Sequence, residues 1–189
     1  MKTLLLRSLS LLVLLLSSAE PSAAEQWRGI IPLKSTRADV DRLLGKPLPG
    51  NPDFLAKYKL RDEEVTINYA DRKLCREADR CECLVPDGTV LDISVQPKRK
   101  VSFATLRIDQ DKFSKHPLAE NADIEVYYNG EAGLIYTISR TDGTLLYTQY
   151  AASSRDCEKI KNQRQTADRD PRSTSSLTLC RAAGYSVVP

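Results

Sequence analysis

The stretch WRGIIPLKSTRADVDRLLGKP, Trp27 to Pro47, decides how the rest of the chain is read. Trp27, Ile30, Ile31 and Leu33 supply the apolar and β-branched character of a strand, and Pro32 suits its edge or end. Thr36, followed three residues later by Asp39, has the spacing of a capping box, in which each partner satisfies an amide the first helical turn leaves unpaired. Val40, Leu43 and Leu44 stand at i, i+3 and i+4 and so share one face of a helix. Gly45 suits a left-handed C-terminal position, and Pro47 prevents the helix from resuming. A helix of about two turns does not persist alone in water. The sequence therefore predicts a strand, a turn and a short helix held against a sheet.

The run from Pro32 to Pro47, PLKSTRADVDRLLGKP, resembles the opening of the small SmpA/OmlA-type envelope lipoproteins, which belong to the outer-membrane β-barrel assembly machine. It is also similar to the β-lactamase-inhibitory-protein group, whose members duplicate a helix-plus-sheet unit. The resemblance implies an α+β fold and a role in binding other proteins.

The downstream pattern agrees with a duplicated unit. Val65, Ile67 and Tyr69 alternate with Thr66 and Asn68, as a half-buried strand should. Asp87-Gly88 is a hairpin signal, and Leu91, Ile93 and Val95 alternate with Asp92 and Ser94 after it. YKLRDEEVTINYA from Tyr58 lines up with YYNGEAGLIYTIS from Tyr127, and DGTVLDISV from Asp87 lines up with DGTLLYTQY from Asp142. The offsets are 69 and 55 residues, and a Cys-rich insertion over 71–85 accounts for the difference of 14. Residues 101–113 take the place of the first helix, with Phe103 and Leu106 at helical spacing behind a poor cap. The expected fold is α+β, a tandem repeat of a short helix plus an antiparallel meander. Unit one covers 25–97, unit two 98–152, and a polar tail with an apolar C-terminus covers 153–189. Over 153–176 the tail has almost no apolar residues and reads as solvated or disordered, the alternative being a charged exposed helix from Asp156 to Arg164.

Residues 1–24 have the layout of a secretory signal, with Lys2 and Arg7, an apolar core from Leu9 to Leu16, and Ser22-Ala23-Ala24 at the cleavage site. The apolar run is too short to span a bilayer in the usual way, and no Cys at the cleavage site argues against a lipid anchor. The expected location is periplasmic or extracellular, with no transmembrane span after cleavage. The chain of 189 residues carries a formal net charge of +3, and losing Lys2, Arg7 and Glu20 with the signal leaves +2. That balance argues against a dedicated nucleic-acid binder. Lys98-Arg99-Lys100 reads as a solvated connector.

All five cysteines, Cys75, Cys81, Cys83, Cys157 and Cys180, fall after the signal, and export favours disulfides. Cys75 is a partner for Cys81 or Cys83 by proximity, and Cys157–Cys180 is the simplest pin for the tail. The Cys75-x5-Cys81-x-Cys83 spacing is a poor zinc pattern, and His116 is the single histidine,. No metal site, cofactor or catalytic residue follows. His116 reads as an exposed loop residue rather than half of a Cys–His pair.

What remains is the surface. In the alignment the outward positions of the first unit are Thr66, Asn68, Asp92 and Ser94, and those of the second are Ile135, Thr137, Tyr147 and Gln149, with Leu145 against Val90. The second unit presents the more apolar face, so Ile135, Leu145 and Tyr147 are the expected contact surface for a protein partner. The expectation is a non-catalytic binding module. Its alternatives are a secreted hydrolase or a small-ligand carrier using a cleft between the units, the last favoured by a pocket near Tyr127-Tyr128.

Overall fold

Helix α1, Arg37–Leu44, begins where the capping box requires. The Thr36 hydroxyl lies 2.8 Å from the Asp39 carboxylate and accepts from the Asp39 amide at 3.3 Å, while the carboxylate accepts from the Thr36 amide at 2.9 Å. Gly45 ends the helix at a φ of 80°, its N–H donating to the Asp41 carbonyl. Val40 is fully buried and Leu44 packs partly against the same core, but Leu43 points to solvent. The computed structural model describes residues 25–74, 80–118 and 121–169.

The segment before α1 is not the predicted strand. Trp27 and Ile30 exchange both backbone hydrogen bonds, at 3.1 and 2.9 Å, across Arg28 and Gly29, which both have positive φ. That is a tight primed turn. It lets Trp27 and Ile30 enter the core side by side. Two successive left-handed residues are incompatible with an extended strand, and Gly29 makes one of them free of strain.

Among the described residues, β1 (Leu55–Lys59), β2 (Glu63–Tyr69), β3 (Val90–Pro97), β4 (Ser114–Leu118), β5 (Asn121–Asn129), β6 (Leu134–Ser139) and β7 (Leu145–Tyr150) form one sheet. Its order is β1-β2-β3-β7-β6-β5-β4 and every pair is antiparallel. One face is covered along its length. Trp27, Ile30 and Val40 pack there against Ala56, Ile67 and Ile93. Phe103 and its neighbours, on 3₁₀ turns between β3 and β4, cover Tyr127, Ile138 and Leu145. Phe103 lies 4.5 Å from Tyr127 and 5.6 Å from Tyr136, ring centre to ring centre.

The two meanders, β1-β2-β3 and β5-β6-β7, meet at β3 and β7. The first strands, β1 and β5, differ in register by two residues, Tyr58 pairing with Val65 but the aligned Tyr127 with Tyr136 rather than Leu134. The pairing of β2 with β3, by contrast, matches that of β6 with β7 position by position. Val65 pairs with Val95 and Ile67 with Ile93, while the aligned residues Leu134 and Tyr136 pair with Tyr150 and Thr148. Each hairpin lock recurs. Gly88 donates to the Ala70 carbonyl and Gly143 to Ser139, both at 2.9 Å, and Ala70 donates to Thr89 as Ser139 does to Thr144, both at 2.8 Å. The lock also holds the element in front of it. Arg37 donates to the Gly88 carbonyl and Phe103 to Gly143, again both at 2.9 Å. At the junction the aligned residues Ser94 and Gln149 face each other.

A β-bulge also sits at the same aligned place in both meanders, and it corrects two expectations. Between Asn68 and Tyr69 the pairing skips Leu91, and between Thr137 and Ile138 it skips Leu146. An extra residue reverses the facing of everything beyond it. Val90 and Leu145 therefore turn into the core, at 0 % and 8 % exposure, and Leu91 leaves the face that Ile93 and Val95 occupy.

Three further expectations change. The place of the first helix is taken in the second half by a 3₁₀ turn, Phe103–Leu106, whose Ser102 makes no side-chain cap. The start of the polar tail is ordered, taking the alternative of a charged exposed helix rather than a solvated segment: α2 spans Ser154–Arg169. Its start is fixed by Ser153 and Asp156, both buried, whose hydroxyl, carboxylate and amide bond at 2.8 and 3.0 Å. Cys157 bonds to Cys81 across 76 residues, not to Cys180. Cys157 and Ile160 lie three apart on α2, so both reach the small cluster of Leu33, Ala70, Cys81 and Val85. Residues 1–24, Cys75, Cys180 and the apolar C-terminus lie outside the described residues.

Candidate functional site

The uncovered face of the sheet carries the outward side chains of both meanders. One row across it reads Lys57, Thr66, Ser94, Gln149, Ile135, Tyr128 and Ser114, from β1 through to β4. Tyr147 lies opposite Thr137, which lies opposite Val126. The half built on β1–β3 is charged and amide-rich here, whereas Tyr128, Ile135, Tyr147 and Val126 form an uncharged patch on the other half. Tyr128 and Tyr147 are 42 % and 38 % exposed. Of the three residues expected on this surface, Ile135 and Tyr147 are diagonal neighbours on it, whereas Leu145 is in the core on the opposite face.

Above this row the face becomes the floor of an open cavity of about 840 Å³. Asn68, Asp92 and Gln149 form the floor, the 71–85 insertion supplies Arg80 and Glu82 on one side, and α2 supplies Glu158 and Lys161 on the other. The Cys81–Cys157 disulfide ties those two walls together. Tyr128 closes the cavity toward β5. Tyr127 faces the other way and is buried, with the Lys115 ammonium 4.8 Å from its ring centre.

Asp92 is the distinctive group. The Asn68 side-chain amide donates to both of its carboxylate oxygens, at 3.0 and 3.2 Å. Burial pushes its carboxyl above the ordinary carboxylate value. Hydrogen bonds from Asn68 and Gln149 pull it back, and nearby Glu82 pushes it up further. Desolvation disfavours a charge that only neutral amides support. A second, shallower groove of about 540 Å³ runs along the same face past Lys57, Thr66, Ser94 and Tyr147. Gln149 lines both.

The chemistry weighed from the sequence is placed as follows. Cys81, Cys83 and Cys157 are all in disulfides, so none of the three offers a thiolate. His116 is exposed on the edge strand β4, opposite Val126, rather than in a loop. Among the described residues no group of three or more His, Cys, Asp or Glu is placed to hold a metal ion, and no helix is long and apolar enough to cross a membrane. The cavity was missed because its three walls come from segments far apart in the chain. The Ser153-x-x-Asp156 spacing, the same signature as Thr36-x-x-Asp39, was the available signal for α2.

No family model matches the chain, and no curated protein matches it. The crystal structure of a DUF4309 family protein (YjgB) from Bacillus subtilis is similar at a TM-score of 0.47 and 16% identity, covering 69% of this chain and 86% of that one. A likeness that distant says nothing about what this chain does.

Proposed function

We propose that this chain is an exported, non-catalytic binding protein built from two duplicated meander units, the first with a short α-helix and the second with a 3₁₀ turn in its place. It docks a protein partner on the open sheet face through Ile135 and Tyr147. The observation that carries this reading is the asymmetry of that face. Only the β5–β7 half presents exposed tyrosines with no charged side chain between them. Protein interface cores are depleted in charge and enriched in tyrosine. The disulfide between Cys81 and Cys157 fits an oxidising compartment, in line with the signal-like layout of residues 1–24,. The matched pairing, bulges and hairpin locks of the two meanders support an internal duplication. The β-lactamase-inhibitory-protein group, to which the run from Pro32 to Pro47 is similar, also duplicates a helix-plus-sheet unit.

The test is capture from the native envelope and medium by the oxidised chain, with Tyr147→Asp alongside and its folding checked by circular dichroism. One protein retained by the wild type and lost by the variant supports the reading. A folded Tyr147→Asp chain that retains every partner overturns it.

A second reading, a carrier of a small ligand, is favoured by the cavity over Asp92. Its size falls within the range of ligand pockets, about 300–1,000 Å³, and its lining mixes apolar side chains with many polar and charged ones.

A further inference from the structure

A carboxylate withdrawn from water in a protein normally faces a cation, because a desolvated charge without one is disfavoured. Asp92 is half-buried, and no ion pair to it is found among the described residues. Among the described residues its hydrogen-bond partners are the neutral amides of Asn68 and Gln149. Of the two cations that line the cavity among the described residues, Arg80 is paired with Glu82 at 3.4 Å, and Lys161 shares the α2 wall with Glu158, three residues before it. Asp71, also on the wall, accepts from the Lys73 amide. Among the described residues, Asp71, Glu82, Asp92 and Glu158 against Arg80 and Lys161 leave the lining with an excess of two negative charges. Phe54, Leu74, Leu91 and Ala152 supply apolar surface beside this floor, and Tyr128 gives an aromatic wall of the kind that attracts cations,.

We infer that the cavity binds a cationic nitrogen, an ammonium or guanidinium on a short apolar stem, with the Asp92 carboxylate as its counter-ion. The inference rests on the ligand-cavity reading above and is independent of the Tyr147 face. The raised carboxyl of Asp92 agrees with it, since the charge is held in place without the partner that would stabilise it. The stem lies along Leu91 and Phe54. The same chemistry is carried by a free organic amine and by a lysine or arginine side chain of a protein.

The experiment is calorimetric titration of the oxidised full chain with n-butylamine, n-butylguanidine, butyramide and butyrate, and with a blocked tripeptide bearing a central lysine. The expected result is binding of the cations with at least about tenfold preference over butyramide and butyrate, and a loss of about tenfold or more in Asp92→Asn. That variant removes the charge and also exchanges one of the two oxygens that accept from Asn68 for an amide donor, so its folding is checked by its thermal midpoint at neutral pH,. Cations that bind alone assign a small-molecule source; tripeptide that binds more tightly assigns a protein source; either supports the inference. Butyramide or butyrate binding as well as the amines leaves a ligand cavity standing and overturns its cation class. No binding by any of the five overturns both. The charge series on the wild type decides the matter even if the variant fails to fold. Amine binding that survives in Tyr147→Asp separates this site from the partner face.

Discussion

The two meanders share a backbone and differ in what is built on it. Their second and third strands have equivalent cross-strand partners, the same skipped residue and the same hairpin lock onto the segment in front, while the first strands differ in register by two residues. Yet that segment is an eight-residue helix in the first half and a four-residue 3₁₀ turn in the second. Thr36 and Asp39 close a capping box; the aligned Ser102 and Thr105 do not, and the Thr105 hydroxyl instead donates to the Ser102 carbonyl at 2.6 Å. Without a carboxylate at that position the amides of the first turn have no side-chain acceptor, and the α-helix is not nucleated. The difference teaches that sheet register and local capping are separable. The sheet tolerates either element because both present an apolar side chain, Val40 or Phe103, to the same inner face.

That separation is open to attack. The largest effect is expected from the one disulfide that links the insertion of the first half to the helix after the second. Replacing Cys81 and Cys157 with serine removes a constraint over 76 residues, which is about 4 kcal/mol by the loop-entropy relation,. The thermal midpoint should fall by roughly 10 °C. Hydrogen exchange should quicken in α2 and not in α1; equal quickening in both would mean the halves are not independent in this respect.

Next come the cores. Ile67→Ala, at a fully buried site, is expected to lose about 3 kcal/mol in denaturant unfolding,. Ile138→Ala, in the other cluster and 6 % exposed, should lose somewhat less. A reversed order would make the second half the firmer one. The caps give a smaller and cleaner contrast. Thr36→Ala should lose about 1 kcal/mol, whereas Ser102→Ala should stay within about 0.5 kcal/mol. Equal losses would show that Ser102 caps in solution.

The smallest effects are in acid, and their signs are opposite. The Asp39 carboxyl is held below its ordinary value, first by the Thr36 amide and hydroxyl and then by Arg42. Its contribution is therefore complete above its unfolded pKa and is lost as the pH falls through the lowered folded one. Asp92 is raised, so its ionisation disfavours the fold as the pH rises from its unfolded value through its folded one,. Urea unfolding at several pH values should show Asp39→Asn approaching wild type on acidification. Asp92→Asn should pull ahead of wild type as the pH rises.

Much of the first half was legible because its signals are local. Thr36, Asp39, Val40 and Gly45 lie within ten residues and act on one helix, and Val65, Ile67 and Tyr69 alternate within one strand. Recurrence of Asp-Gly-Thr was enough to bring the second and third strands of the meanders into the alignment that their pairing follows, while the first strands lie two residues out of it. The bulges were not legible, because one skipped residue is decided by how two strands meet, and a one-residue slip sends Leu145 inward without changing its neighbours in the chain. The same holds for α2. Its polar composition left a solvated tail and a charged helix from Asp156 to Arg164 both open, and only the Cys81 cluster, more than seventy residues away, gives the helix a surface to pack on. By itself the sequence determined the α+β class, the first helix, the alternating strands and the two hairpin turns, each through interactions between residues close in the chain. Only the tertiary structure decided which face each residue took beyond a bulge, which cysteines met, and that Asp92 lies under a cavity, since those depend on contacts between segments the chain keeps apart.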